Sequence, residues 1–181
     1  NFAMRTSLTV ILLLFTLELT AQSTIQSIPN QKLIDNSYVS NPDHILDEST
    51  VTQIDLMMKS LEDRTSVQVS VVAVTAIGDA DIFEFAQDLF NTWGIGSNNN
   101  DNGLLVLLVT DQRTVRFHTG NGVEGALPDI VCKHIQREYM VPEFKNGNYS
   151  TGMLAGIQQV DKVLTDPGLA EELHVSDEDE G

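Results

Sequence analysis

The sequence predicts a three-layer α/β domain in which a small mixed sheet is flanked by helices. Apolar periodicity changes along the chain in the order helix, strand, helix, hairpin, helix, helix. Residues 104–109 are apolar at every position, as expected of a central strand that is covered on both faces. A short turn then leads into alternating residues 115–118, so these two strands form a hairpin. We expect strand 104–109 to pair with that strand and with an earlier one.

Two helices and one strand precede the hairpin. An aspartate caps a helix over 47–64, whose apolar positions fall on one face. A strand over 67–75 follows, because its valines first alternate and then continue as a buried run. Asp81 and Glu84 have the spacing of a capping box and open a helix over 81–93. Its apolar stripe consists of Ile82, Phe85, Ala86, Leu89, Phe90 and Trp93.

The hairpin is followed by a glycine-rich loop and two helices. Gly120 to Gly125 form the loop, and Pro128 is well placed as the first residue of the next helix. We expect Pro142 to stop that helix, because an interior proline lacks the backbone donor. The last helix ends near Pro167. The folded domain is therefore predicted over residues 45–166, preceded by an extended polar lead-in over 22–44.

The N-terminal residues have the composition of a cleavable signal peptide. Arg5 gives a positive start after Met4, an apolar stretch runs to Leu17, and Ala21 offers a small residue for cleavage. The apolar run is shorter than the ~20 residues that span a bilayer, so an uncleaved anchor is the weaker alternative. We expect residues 1–21 to be removed and the rest, which has no further membrane span, to be exported to the periplasm or beyond.

Charge and cysteine content exclude several classes of function. The net charge of −16 opposes electrostatic binding of nucleic acid or anionic lipid, and it suits cations. Six acids crowd the last eleven residues, so residues 167–181 are predicted to be a disordered acidic tail. Cys132 is the only cysteine, so there is no internal disulfide, and no Cys/His cluster has the spacing of a zinc site.

Two motifs imitate known binding loops. Gly120, Gly122 and Gly125 have the spacing of a dinucleotide fingerprint, but the preceding strand is a hairpin arm and Glu124 would oppose a pyrophosphate. Glycines that allow a tight turn are the better interpretation. The asparagine-rich loop before Gly103 resembles half an EF-hand, yet the bidentate glutamate that closes such a site is missing.

Chain direction predicts which acids lie close together. If strand 67–75 runs upward, loops 94–102 and 119–128 both lie at the bottom of the sheet. Asp101, Glu124 and Asp129 can then meet, whereas Asp81 lies at the opposite end. The alternative for Asp129 is that it only stabilises the first turn of its helix through the helix dipole.

Four strings, in order and at the right spacing, resemble one family. They are Trp93-Gly-Ile-Gly96, Asp101-Asn-Gly-Leu-Leu105, Gly120-Asn-Gly-Val-Glu-Gly-Ala-Leu-Pro-Asp129 and Val141-Pro-Glu-Phe-Lys-Asn-Gly-Asn-Tyr149. Over about residues 33–165 the chain resembles the TPM domain, which occurs in a thylakoid-lumen acid phosphatase, a photosystem II repair protein and many exported bacterial proteins. The resemblance implies a Rossmann-like sandwich that binds divalent cations, often Ca²⁺.

The resemblance turns the three acids into a candidate metal site. Side chains of Asp101, Glu124 and Asp129 would ligate Ca²⁺, or Mg²⁺ as competitor, and Asn100 or Asn102 with backbone carbonyls would complete the shell. The expected function is an interaction or maintenance module with an unidentified protein partner. The alternative is a metal-assisted acid phosphatase, for which the sequence offers no usual nucleophile motif.

Overall fold

A computed structural model of the chain describes residues 22–98 and 100–178. The predicted signal peptide at residues 4–21 lies outside the described residues, as does the end of the predicted tail. Within the described ranges, no helix has both the length and the apolarity needed to cross a bilayer.

A four-stranded mixed sheet forms the middle layer. Its strands lie in the order β1 (Val39–Ser40), β2 (Gln68–Val74), β3 (Gly103–Val109) and β4 (Thr114–Thr119). β1 and β3 run parallel to β2, and β4 is antiparallel to β3. The prediction that the strand at 104–109 pairs with both the earlier strand and the hairpin partner is confirmed, and so is the α/β fold class.

Helices cover both faces of this sheet. The described helical segments are α1 (Gln31–Ile34), α2 (Glu48–Thr65), α3 (Ile82–Trp93), α4 (Asp129–Ile135), a π-helical turn (Gln136–Met140), α5 (Val141–Lys145), α6 (Tyr149–Thr165) and α7 (Pro167–Glu178). The two predicted N-caps are in place. Asp47 accepts the Thr50 amide at 2.7 Å, and Asp81 accepts the amides of Phe83 at 2.9 Å and Glu84 at 3.1 Å.

Side-chain alternation divides the core into two layers. One face of β2 and β3, including Val71 and Val106, packs with α2, α4 and α6. The other face, including Val72 and Leu107, packs with α3 and with Ile28 from the N-terminal segment. Every residue of β3 is buried, because β3 lies between two strands and between two helical layers.

The predicted lead-in is not merely extended. It contains α1 and the edge strand β1, whose residue Val39 lies beside Val71 of β2. The carboxylate of Asp55 on α2 accepts the amides of Tyr38 at 2.7 Å and Val39 at 3.2 Å. β1 has only two residues, so no alternation marked it in the sequence. The ordered domain therefore begins before residue 45.

Two expectations about the C-terminal half are wrong. Residues 167–178 form α7, not a disordered tail, because Leu169, Ala170 and Leu173 pack against the core. Pro142 does not stop the helical path. It lies in the first turn of α5, after the π-helical turn, where a missing backbone donor costs little.

Candidate functional site

The two predicted site loops lie at the same end of the sheet. Gln68 at the start of β2 is aligned with Gly103 at the start of β3, and Leu104 is aligned with Thr119 at the end of β4. The loop before β3 and the loop after β4 therefore emerge side by side, as the predicted chain direction requires.

The loop before β3 has an unusual backbone. Asn100 and Asp101 both adopt left-handed conformations, with φ of 56° and 60°, which Asn and Asp tolerate better than most residues. Gln68 fastens the loop to the sheet. The side-chain oxygen of Gln68 accepts a hydrogen bond from the Gly96 backbone amide at 2.9 Å. The backbone amide of Gln68 donates to the Asn102 carbonyl, also at 2.9 Å.

The glycine-rich loop packs directly against this polar loop. The Gly122 amide donates to the Asp101 carbonyl at 3.1 Å. A Cβ at Gly122 would stand 2.2 Å from Oδ1 of Asn102 and 2.5 Å from the carbonyl oxygen of Asn100. A Cβ at Gly120 would stand 2.2 Å from the Asp101 carbonyl oxygen. Gly120 and Gly122 therefore allow the backbones of the two loops to approach closely, whereas Gly125 has no such contact.

Glu124 and Asp129 lie on the cleft side of these loops. Both line a cleft of about 230 Å³ that Arg116 and His118 also line. Asp101 is not among the lining residues of that cleft, and Asp129 pairs with Lys133 at 2.7 Å. Among the described residues, no three side chains of His, Cys, Asp or Glu are grouped so that they could hold a metal ion.

His118 and Cys132 are the other titratable groups in the cleft. Burial lowers the pKa of half-buried His118, the Arg116 charge lowers it further, and Glu124 opposes the shift. The His118 ring lies 4.7 Å from that of Phe90. Burial, aided by Asp129, raises the pKa of the Cys132 thiol to about 12. A neutral imidazole and a protonated thiol are therefore the expected states at neutral pH.

Arg116 is the positive group of the cleft. Its guanidinium carbon lies 4.5 Å from the ring centroid of Phe83, a side chain that is 48% exposed. Its Nε atom is buried and has no hydrogen-bond partner among the described residues. A buried donor without a partner is uncommon and calls for a structural explanation.

Residues 39–163 match the sequence profile of the TPM domain. The chain belongs to the TPM domain family. A comparison with curated protein sequences gives no significant match.

Solved structures support the same fold. The NMR structure of the N-terminal domain of a protein from P. gingivalis is 35% identical, with a TM-score of 0.75, and covers 80% of this chain and 92% of that one. The BA42 protein from Bizionia argentinensis is 20% identical, with a TM-score of 0.59 and coverage of 68% and 83%. The N-terminal domain of cg2496 from Corynebacterium glutamicum is 13% identical, with a TM-score of 0.56 and coverage of 71% and 80%. The last two show the fold alone.

Sequence reasoning missed Arg116 and Phe83 in this TPM domain. Phe83 had one available clue, since it lies off the apolar stripe of α3 and is therefore an aromatic residue facing outward. Arg116 alternates with the buried residues Val115 and Phe117 on β4, a pattern that exposed arginines share. Only the contact with Phe83 of α3 in the folded chain distinguishes Arg116 from an ordinary exposed arginine on a strand.

Proposed function

We propose that this TPM domain is an exported module that binds divalent cations, Ca²⁺ in preference to Mg²⁺, where the two loops meet. The main observation in support is that Gly122 lies close to the Asn100 carbonyl and the Asn102 side-chain oxygen. That approach concentrates oxygen atoms of one loop against the backbone of the other. The side chains of Asp101, Glu124 and Asp129 would add negative charge from both loops.

The donor set suits calcium. All candidate ligands are oxygens: carboxylates of the three acids, side-chain amides of Asn100 and Asn102, and backbone carbonyls. Ca²⁺ takes about 6–8 such ligands at flexible angles, whereas Mg²⁺ requires a near-ideal octahedron. An irregular loop with two consecutive left-handed residues is better matched to the flexible shell.

Binding would rearrange one ion pair. Asp129 is held by the exposed Lys133 four residues along α4, and exposed pairs of this kind contribute only about 0.3–0.5 kcal/mol. Releasing this carboxylate toward an ion therefore costs little. A cation would also reduce repulsion between Asp101 and Glu124, so the two loops would become one ordered surface that a protein partner can contact.

The metal-assisted acid phosphatase stays a prediction from the resemblance. Cys132, the thiol in the cleft, donates to the Leu127 carbonyl at 3.8 Å and is held protonated. Such a thiol is a poor nucleophile. We favour the interaction module, because the two joined loops form one surface that a protein partner can contact.

The proposal is tested by titrating the whole chain with Ca²⁺ and, separately, with Mg²⁺ while following thermal unfolding and heats of binding. At about 100 times the dissociation constant, linkage stabilises the native state by ~2.7 kcal/mol. For a domain of this size that corresponds to a rise in melting temperature of about 5–10 °C. Asp101→Asn and Asp129→Asn should each remove most of this rise.

Asp81→Asn is the matched control. Asp81 caps α3 at the opposite end of the sheet, and asparagine caps helices about as well as aspartate. Its calcium response should equal that of the unmodified chain. If Ca²⁺ stabilises all three variants equally, the site at the loops is refuted and the acid-rich C-terminal segment becomes the place to look.

A further inference from the structure

Three asparagines in this chain precede a glycine, and such a pair can react with its own backbone. The pairs are Asn102-Gly103, Asn121-Gly122 and Asn146-Gly147. Because glycine has no Cβ, its backbone nitrogen is open to the side-chain amide carbon of the preceding asparagine. The reaction also requires the peptide between the two residues to turn. A folded chain prevents it wherever that peptide is held rigidly, so the surroundings of each pair decide its reactivity.

The two pairs in the site loops are held in place. Gly103 is buried at the start of β3, and a Cβ there would lie 2.3 Å from a backbone carbonyl oxygen. The Asn102 carbonyl accepts the Gln68 amide at 2.9 Å, so the peptide between Asn102 and Gly103 is fixed on both sides. The Gly122 amide donates to the Asp101 carbonyl of the other loop at 3.1 Å. This nitrogen becomes free only when the two loops separate.

The third pair lies in the turn between α5 and α6, where both Asn146 and Gly147 are exposed. A Cβ built on Gly147 would meet nothing within 4 Å among the described residues. The Gly147 amide donates to the Phe144 carbonyl at 3.0 Å, a bond that lies within the turn itself. Gly147 has a φ of 77°, which glycine adopts without strain. Exposed turns open locally at little cost in free energy, so this nitrogen becomes available while the domain stays folded.

We propose that Asn146 is a site of spontaneous deamidation in the folded domain. The Gly147 backbone nitrogen gives its proton to water and forms a bond to Cγ of Asn146. The bond between Cγ and Nδ2 breaks, and the leaving nitrogen takes a proton from water and departs as ammonia. Water then opens the resulting five-membered succinimide at one of its two carbonyls. One opening gives aspartate, and the other gives isoaspartate, in which the backbone runs through the former side chain.

The isoaspartate form alters the corner between α5 and α6, because it adds one carbon to the backbone there. Glu143 holds this corner: its carbonyl accepts the amides of Asn146 and Asn148 at 3.0 Å, and its carboxylate accepts the Asn148 side chain at 2.9 Å. The corner also brings the ring of Phe144 to 5.7 Å from that of Tyr149. The new carboxylate lies close to that of Glu143 along the chain and repels it. Deamidation therefore loosens the packing of α5 on α6.

The test follows the three pairs together in one sample of the whole chain, incubated with EDTA at mildly alkaline pH. Mass spectrometry of proteolytic peptides measures the loss of each asparagine and the amount of isoaspartate. In urea the three should react at similar rates, because glycine follows each asparagine. In the folded chain, Asn102 and Asn121 should react at least tenfold more slowly than in urea, whereas Asn146 should stay within about threefold of its rate in urea. Protection of Asn146 as strong as that of Asn102 would overturn the proposal.

Asn146→Ser is the matched variant, because serine is common in turns and cannot form the succinimide. Incubation should lower the melting temperature of the unmodified chain by about 2–4 °C and leave that of the variant unchanged. An equal fall in both chains would contradict the proposed loosening of the corner. The inference does not depend on the proposed cation. Ser150, beside this corner, accepts the Asp47 amide at 2.9 Å at the end of the sheet opposite the site loops, so Ca²⁺ should leave the Asn146 rate unchanged.

Discussion

The contact between the two site loops can be tested with one added methyl group. In Gly122→Ala, the new Cβ would lie 2.2 Å from the Asn102 side-chain oxygen and 2.5 Å from the Asn100 carbonyl. Each oxygen would have to move by about 1 Å to reach ordinary van der Waals contact. The Asn102 side chain can rotate, but the Asn100 carbonyl belongs to the backbone of a loop fastened by Gln68.

The change in the free energy of unfolding is the difference between two opposing effects of the substitution. Overpacking of this kind typically costs about 1–3 kcal/mol. Replacing glycine by alanine also lowers the conformational entropy of the unfolded chain, which stabilises the folded state by about 0.4–1 kcal/mol. We therefore expect Gly122→Ala to lower the free energy of unfolding by roughly 1–2 kcal/mol. The melting temperature should fall by about 2–8 °C, measured by circular dichroism.

Gly125→Ala is the matched control within the same motif. A Cβ at Gly125 would meet nothing within 4 Å, so this variant should be unchanged or slightly more stable. If the two variants have the same melting temperature, the glycines serve only loop flexibility, and the argument from close approach fails. A loss of calcium binding in Gly122→Ala alone would further link this contact to the proposed site.

Two other predictions concern titratable groups. Hydrogen bonds, chiefly from the Thr50 amide, lower the pKa of Asp47 to about 2, so its stabilising effect is complete above pH ~4 and is lost as pH falls toward ~2. The difference in urea midpoint between the unmodified chain and Asp47→Asn should shrink over this window, and a constant difference would contradict the assignment. Cys132, with its pKa raised to about 12, should react with a disulfide reagent at pH 8 at least ~1,000-fold more slowly in the native chain than in urea. Comparable rates would mean that the thiol is accessible.

The sequence predicted well what depends on local pattern. The continuous apolar run of β3 and the apolar stripe of α3 correctly predicted which residues of these elements are buried. The chain direction derived from them correctly placed both site loops at the same end of the sheet. Short and contact-dependent elements were missed. β1 is stabilised by pairing with β2 and by Asp55, seventeen residues from Tyr38, and α7 by packing that its acidic composition obscures.

The cleft at β4 shows why overall charge does not predict the environment of a single basic side chain. The chain has 26 acidic against 10 basic residues, so carboxylates are plentiful partners for the basic side chains. Several basic side chains have such a partner, as in the pairs Lys32–Glu62, Lys59–Asp63, Arg64–Asp161 and Lys133–Asp129. Arg116 differs, because its guanidinium carbon lies 4.5 Å from the Phe83 ring centroid and its buried Nε has no acceptor among the described residues. Leaving a buried donor unpaired costs about 1–3 kcal/mol. No pattern in the sequence marks this arginine, because its contact with Phe83 joins a strand and a helix that only the folded chain brings together.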